Sequence, residues 1–351
     1  MSWVTQLARP AIVALEAYAP AAWEPELTRL HANELPWRVP GDESHAGLNR
    51  YPEPQPRALV ERLAGLYGVA RDSVLVSRGS DEAIDLLIRT FCRAELDAVL
   101  VCPPTFGMYA VAAQIQGAAV RSVPLRAAEG FTLDEAAVLG ACTAQVKIVF
   151  LCSPNNPTGN LLEPQALLRV ARALAGRALV VVDEAYIEFA RHESLAQQIA
   201  AHPNLCVLRT LSKAHGLAGA RCGTLIADPE IVGLLRKVIA PYAITQLTLE
   251  AALRLLQPAE LEAMRARVTQ IRAERELVAH ALARLPRVVR VWSSAANFLL
   301  AQFRDSAEAL ARARAARLLV RDLRTYPELP GALRVTIGTA SQNARLMRAW
   351  A

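Results

Sequence analysis

Aromatic residues make up only 5% of the chain, too few for a surface that stacks nucleic-acid bases. The formal charge of +6 is scattered, with no block of consecutive basic residues. Nucleic acid is therefore a poor match, and a small anionic ligand a better one. The six cysteines, at positions 92, 102, 142, 152, 206 and 222, form no CxxC pair. That argues against a zinc ribbon or a thioredoxin-like redox site, and no metal is expected. The cysteines fall in apolar or small-residue runs, where cysteine acts as a small hydrophobe, and a reducing cytoplasm is the expectation. No apolar run approaches the length of a membrane span. The opening stretch "MSWVTQLARP" lacks the basic-then-apolar pattern of a secretory signal.

What is present is apolar material for a large core. Hydrophobic residues are 53% of 351 and charged residues 21%, which suits one large domain plus a smaller one. Seven short apolar runs begin near residues 74, 98, 118, 147, 178, 205 and 222. Segments with apolar residues at three- and four-residue spacing separate many of them, such as "DEAIDLLIRTFC" and "PQALLRVARALAG". Wholly apolar strands alternating with helices predict an α/β domain with a mostly parallel sheet covered on both faces. Ligands of such sheets gather at the carboxyl ends of the strands.

From about 246 to 286 the spacing of Met264, Val268, Ile271, Val278, Leu282 and Leu285 predicts one helix, with Arg275 interrupting the stripe. Four strand-like runs follow, "VVRVWSS", "NFLLAQF", "LLVRDL" and "LRVTIG", with the helix-like "SAEALARARAA" among them. That is a smaller α+β domain. The first forty residues carry Pro10, Pro20, Pro25, Pro36 and Pro40 and read as an arm with one short helix. The expected division is a large domain over 43–245, with the arm (1–42) and the small domain (246–351) outside it.

Four motifs stand at or after strand ends: "SRGSDEAID" (77–85), "SPNNPTG" (153–159), "DEAYIEF" (183–189) and "SKAHGLAGAR" (212–221). Each alone has an ordinary reading as a turn or a helix start. Together they match the needs of a phosphorylated pyridine aldehyde. Such a cofactor requires a lysine for an imine, a carboxylate against the ring nitrogen, donors to the phenolic oxygen, and a phosphate cradle. Lys213, Asp183, Asn156 with Tyr186, and Ser80 to Glu82 with Ser212 and Arg221 supply these in turn.

These motifs resemble the fold-type I pyridoxal-phosphate aminotransferases of class II, and within them the histidinol-phosphate branch. "CSPNNPTGN", "VVDEAYIEF", "LRTLSKAHGLAGARCG" and "RYPEPQP" carry the resemblance, which covers nearly the whole chain. "LHANELPW" and "LRVTIGT" support it. It implies a mostly parallel seven-stranded sheet and pyridoxal 5′-phosphate joined to Lys213. Asp183 then faces the ring nitrogen, and Asn156 and Tyr186 the phenolic oxygen. Tyr109 of "PPTFGMYA" lies over the ring face, and Ser80, Asp81, Ser212 and Arg221 surround the phosphate. Tyr51 reaches the phosphate of the neighbouring subunit, which implies a homodimer.

For the substrate the resemblance implies Arg334, Arg321, Tyr18 and Asn33. The implied reaction is transamination of L-histidinol phosphate with 2-oxoglutarate, giving imidazole-acetol phosphate and L-glutamate. Lys213, Asp183 and Tyr186 are the expected catalytic residues. An aromatic amino-acid aminotransferase or a threonine-phosphate decarboxylase on the same scaffold stays open. A non-catalytic regulator would bring a DNA-binding extension, for which the chain has no basic helix-turn-helix. Two departures from the pattern are His215, where an aromatic Phe is common, and His31, where Asn is frequent.

Overall fold

A computed structural model describes residues 2–22, 24 and 26–351; Pro25 of the arm lies outside them. Seven strands build the large sheet: β1 (Val74–Ser77), β2 (Ala98–Val101), β3 (Ala119–Ser122), β4 (Val146–Cys152), β5 (Leu179–Asp183), β6 (Leu205–Thr210) and β7 (Gly223–Ile226). Their order is β1-β7-β6-β5-β4-β2-β3, and β7 runs antiparallel to both neighbours while the other six point one way. Every predicted apolar run becomes a strand.

The antiparallel β7 follows from its connection. Between β6 and β7 lie only residues 211–222 with a single short 3-10 turn, too little for the crossover that parallel neighbours require. The chain therefore turns back at the rim where it left. This puts Lys213, just past β6, and Arg221, just before β7, at the same edge. Ser77 at the end of β1 pairs with Gly223, so the start of the next helix joins that edge too.

Twelve α-helices accompany the strands among the described residues. In chain order they are α1 (Trp3–Leu7), α2 (Pro10–Val13), α3 (Arg57–Tyr67), α4 (Ser80–Phe91), α5 (Met108–Gln116), α6 (Glu135–Ala141), α7 (Pro164–Ala173), α8 (Pro229–Arg236), α9 (Gln246–Leu255), α10 (Pro258–Ala283), α11 (Ser306–Ala315) and α12 (Ala340–Trp350). Successive strand residues point to opposite faces. Val180 and Val182 of β5 accordingly join the core under α3, α7 and α9. Leu179 and Val181 join the core under α4, α5 and α8. Both faces are covered, which is why β5 can be apolar at four successive positions.

The predicted helix over 246–286 is two helices. Pro258 cannot continue α9 and is the first residue of α10, where its missing N–H costs nothing. Arg275 breaks the apolar stripe yet is buried, and its Nη1 donates to the Ala296 carbonyl at 2.8 Å. Strands β8 (Val288–Val291), β9 (Phe298–Phe303), β10 (Arg321–Asp322) and β11 (Ala332–Thr336) form the second sheet, antiparallel throughout in the order β10-β11-β9-β8. Helix α12 was not read from the sequence. It closes this core through Trp350, whose indole N–H donates to the Ala309 carbonyl at 2.8 Å.

The arm carries two short helices rather than one, then irregular backbone to α3. Helix α9 packs on α3, and its Ala252 and the Leu256 that follows it belong to the large sheet's core. We therefore propose that the passage between the two units lies within α10, not at residue 246. Among the described residues no helix is long and apolar enough to cross a membrane.

Candidate active site

A cavity of about 500 Å³ opens at the carboxyl rim of the large sheet and is roofed by the small one. Its floor is built from strand ends. Asp183 terminates β5 and is buried, flanked in register by Cys152 of β4 and Leu208 of β6. One carboxylate oxygen accepts from the Ala185 N–H at 3.1 Å, the other from the Tyr109 hydroxyl at 2.7 Å. Burial raises this carboxyl above the usual range, and the Tyr109 bond opposes the rise.

After β4 the chain enters "SPNNPTG". Asn155 is buried and structural: its amide donates to the Pro104 carbonyl at 2.8 Å and to Thr158 Oγ1, and its oxygen accepts from Thr105. This leaves Asn156 to face the cavity, with its Nδ2 3.4 Å from the Tyr186 hydroxyl and its Oδ1 accepting from Arg334. Gly159, at φ +81°, must be glycine: a Cβ there would lie 2.5 Å from Ser294 Oγ of the small unit.

Lys213 reaches into the cavity with its Nζ 5.5 Å from the Tyr186 ring centre. Partial desolvation and the Arg334 cation lower its pKa, so the free amine is more available than on an unperturbed lysine. Ser212 is anchored beside it: its N–H bonds Thr210 Oγ1 at 3.1 Å.

The fourth motif opens α4. Gly79 precedes the helix and no side chain caps its first N–H groups, which leaves them free to meet a ligand. The two first-turn acids are both engaged. Glu82 is held by Arg78 at 2.5 Å, and Asp81 by Arg221 Nη2 at 3.1 Å. Close approach of β7 makes this corner. A Cβ on Gly223 would fall 2.3 Å from the Gly79 carbonyl carbon, so only glycine lets the helix start sit here.

The roof comes from the small sheet. Arg334 on β11 and Arg321 on β10 are direct register partners, and both line the cavity. Arg334 lies 5.1 Å over the Phe298 ring, and burial lowers its pKa.

Ten of the fourteen residues singled out from the sequence thus meet in one cavity: Lys213, Asp183, Tyr186, Asn156, Ser80, Asp81, Ser212, Arg221, Arg321 and Arg334. Four do not. Tyr109 was expected over a ring in the cavity, but it is fully buried behind Asp183, stacked on Phe150 at 4.7 Å. Its place at the cavity wall is taken by Phe106, three residues earlier. Tyr18 is 69% exposed, and Asn33 and Tyr51 line a separate groove where Tyr51 stacks on Tyr242. Residues that line the cavity but were not singled out include Thr105, Met108, Leu323 and Tyr326. Phe106 could have been found as the aromatic nearest the end of β2; Tyr326 sits in a loop with no such signal. His215 is buried outside the cavity lining, and burial lowers its pKa.

The family model "Aminotransferase class I and II" matches residues 28–349. The chain belongs to this family. A curated histidinol-phosphate aminotransferase of Stenotrophomonas maltophilia is 49% identical over 351 residues, covering 99% of this chain and 96% of the relative. One from Xylella fastidiosa is 50% identical over 320 residues, 91% of this chain and 87% of its own. A solved histidinol-phosphate aminotransferase of Sinorhizobium meliloti, in complex with pyridoxal-5′-phosphate, shares the fold with a TM-score of 0.78 at 23% identity. The match covers 86% of this chain and 82% of that one.

Class I and II aminotransferases use pyridoxal 5′-phosphate. The donor set fits it: a lysine amine made easier to deprotonate, a buried carboxylate, an Asn–Tyr pair, and an uncapped helix start beside an arginine.

Proposed function

We propose that the chain transfers the amino group of L-histidinol phosphate to 2-oxoglutarate, giving imidazole-acetol phosphate and L-glutamate. The observation that carries this reading is the Arg321–Arg334 pair, side by side on β10 and β11 above Lys213. Planar guanidinium groups suit both a phosphate and a carboxylate through paired charged hydrogen bonds. The half-identical relatives named for this reaction support the same choice.

When bound, pyridoxal 5′-phosphate supplies an aldehyde that joins amines and a ring that accepts electrons. Lys213 Nζ would hold the cofactor through its aldehyde, and the same amine, when free, would be placed to take the proton from the substrate's amine-bearing carbon. Asp183 would face the ring nitrogen and keep it protonated by its charge. Asn156 and Tyr186 donate to the phenolic oxygen. Phe106, in place of Tyr109, covers the ring face. The main-chain N–H groups of Ser80 and Asp81, with Ser212 and Arg221, would hold the phosphate. Arg334 serves both substrates, and Arg321 reads the phosphate of histidinol phosphate.

Tyr18, Asn33 and Tyr51 enter the site in a homodimer. The arm that carries Tyr18 and Asn33 exposes Leu30 at 90%, Leu35 at 66% and Trp37 at 75%, a grouping that suits a second copy of the chain. In that pair Tyr51 meets the neighbour's cofactor phosphate, and Tyr18 and Asn33 close over the substrate. The six free, buried cysteines suit the cytoplasm.

Product analysis tests the reading. Histidinol phosphate and 2-oxoglutarate should yield glutamate without carbon dioxide. Carbon dioxide release from a phosphorylated amino acid, or a preference for phenylalanine or tyrosine as donor, would overturn the substrate assignment.

A further inference from the structure

Tyr109 lies one residue into α5, wholly buried. Its ring is parallel to Phe150 of β4, with centres 4.7 Å apart and planes 4° apart, and it meets Phe106 edge-on at 5.6 Å. A phenylalanine would fill this slot equally well. The hydroxyl therefore needs its own reason, since a buried phenol without a partner is costly. Its partner is Asp183 Oδ2 at 2.7 Å, a bond between two buried groups.

We propose that Tyr109 is a positioning residue, whose phenol orients the Asp183 carboxylate against the ring nitrogen of the cofactor. The proposal rests on the reading of Asp183 as the ring-nitrogen partner. The carboxylate swings about its own bond unless both oxygens are held. Ala185 N–H holds one and Tyr109 the other, from a different element of the fold. The phenol also favours the charged carboxylate, against the burial that disfavours it. The other charged or titratable groups acting on this pair are Asp81 of α4, Lys213 after β6 and Cys152 at the end of β4. The phenol itself stays protonated, because burial and the adjacent Asp183 push it far above its usual range.

The test uses the cofactor-loaded full-length protein in a double-mutant cycle with Tyr109→Phe and Asp183→Asn. Three readouts are taken: cofactor content, the absorbance titration of the bound cofactor against pH, and kcat separately from KM. Tyr109→Phe should keep its cofactor and shift the titration in the direction that Asp183→Asn shifts it, by a smaller amount. Its kcat should fall roughly ten- to a hundredfold, the range for a hydrogen bond to a charged group, with KM little changed. The double variant should match Asp183→Asn alone.

An unshifted titration in Tyr109→Phe beside a shifted one in Asp183→Asn overturns the positioning role. So does a loss that adds fully to that of Asp183→Asn, which marks simple packing. If Asp183→Asn itself shifts nothing, the reading of Asp183 fails first. Fluorotyrosine at position 109 preserves shape and strengthens the donor, so it reports even if Tyr109→Phe folds poorly. It should move the titration opposite to Tyr109→Phe, and no movement overturns the proposal.

Discussion

The rim of the large sheet and the N-terminal arm hold their candidate functional residues in opposite ways. At the rim, each functional side chain hangs from a strand end or a capped loop: Asp183 from β5, Asn156 from the turn after β4, Lys213 and Arg221 from the two arms of the β6–β7 return. Val182 and Glu184 beside Asp183, Asn155 and Pro157 beside Asn156, Ala214 after Lys213 and Cys222 after Arg221 are buried, so their positions follow from the fold of one chain. The arm is the reverse. Between α2 and α3 the described residues of the arm and of the segment after it form no helix or strand, Leu30, Leu35 and Trp37 are exposed, and Tyr18, Asn33 and Tyr51 stand away from the cavity. The contrast teaches that one chain's fold is enough to bring the rim residues together, whereas the arm's residues reach the site only in the homodimer proposed above.

Breaking the rim should cost most. Lys213→Ala removes the covalent anchor and the proton carrier together. Loss of a positioned proton-transfer group alone slows a reaction by roughly 10²–10⁴-fold, and single-turnover rates with histidinol phosphate measure it. Borohydride reduction of the wild type should fix the cofactor to the peptide that contains Lys213. Label in a different peptide would move the site.

The arginine pair sharpens the boundary between rim and roof. Each truncation should lower kcat/KM by roughly ten- to a hundredfold, as a charged hydrogen bond is worth about 1.5–3 kcal/mol. Arg334→Ala should weaken histidinol phosphate and glutamate alike. Arg321→Ala should weaken histidinol phosphate more, and equal losses would remove its phosphate-reading role.

A smaller effect is expected at the phosphate corner. Gly223→Ala pushes a Cβ against the Gly79 carbonyl carbon, and overpacking of this kind costs about 1–3 kcal/mol. Its Tm should drop and cofactor affinity fall with it, as read by thermal melts and by equilibrium dialysis. Unchanged affinity would show that the start of α4 does not bear on the phosphate.

The rim was legible in the sequence because strand ends in an apolar parallel sheet converge whatever the loops do. The four motifs at the ends of the apolar runs were enough to bring eight residues together, and the resemblance added Arg321 and Arg334 from the small sheet. What failed was finer. Phe106 and Tyr109 sit three apart in one motif, and only the packing of Tyr109 on Phe150 decides which faces the cavity. The helix boundary at Gln257 and Pro258 was written in the proline, but the apolar spacing on either side masked it. Helix α12 is rich in polar and basic residues and shows its role only through Trp350 against Ala309. Tyr326 reaches the cavity by the path of the loop between β10 and β11, which no local pattern encodes. The arm is legible only as a resemblance, since it has no apolar periodicity beyond its two short helices among the described residues.

A subunit-mixing experiment tests this contrast most directly. Lys213→Ala breaks the rim and Tyr51→Ala breaks the arm, and each variant alone should be strongly impaired. Once the two are unfolded, mixed and refolded together, each hybrid dimer holds one site with an intact Lys213 and an intact Tyr51 from the other chain. Activity with histidinol phosphate should rise well above that of either parent. If mixing restores nothing while hybrid dimers are present, the arm acts within its own subunit and the account of a shared site is contradicted.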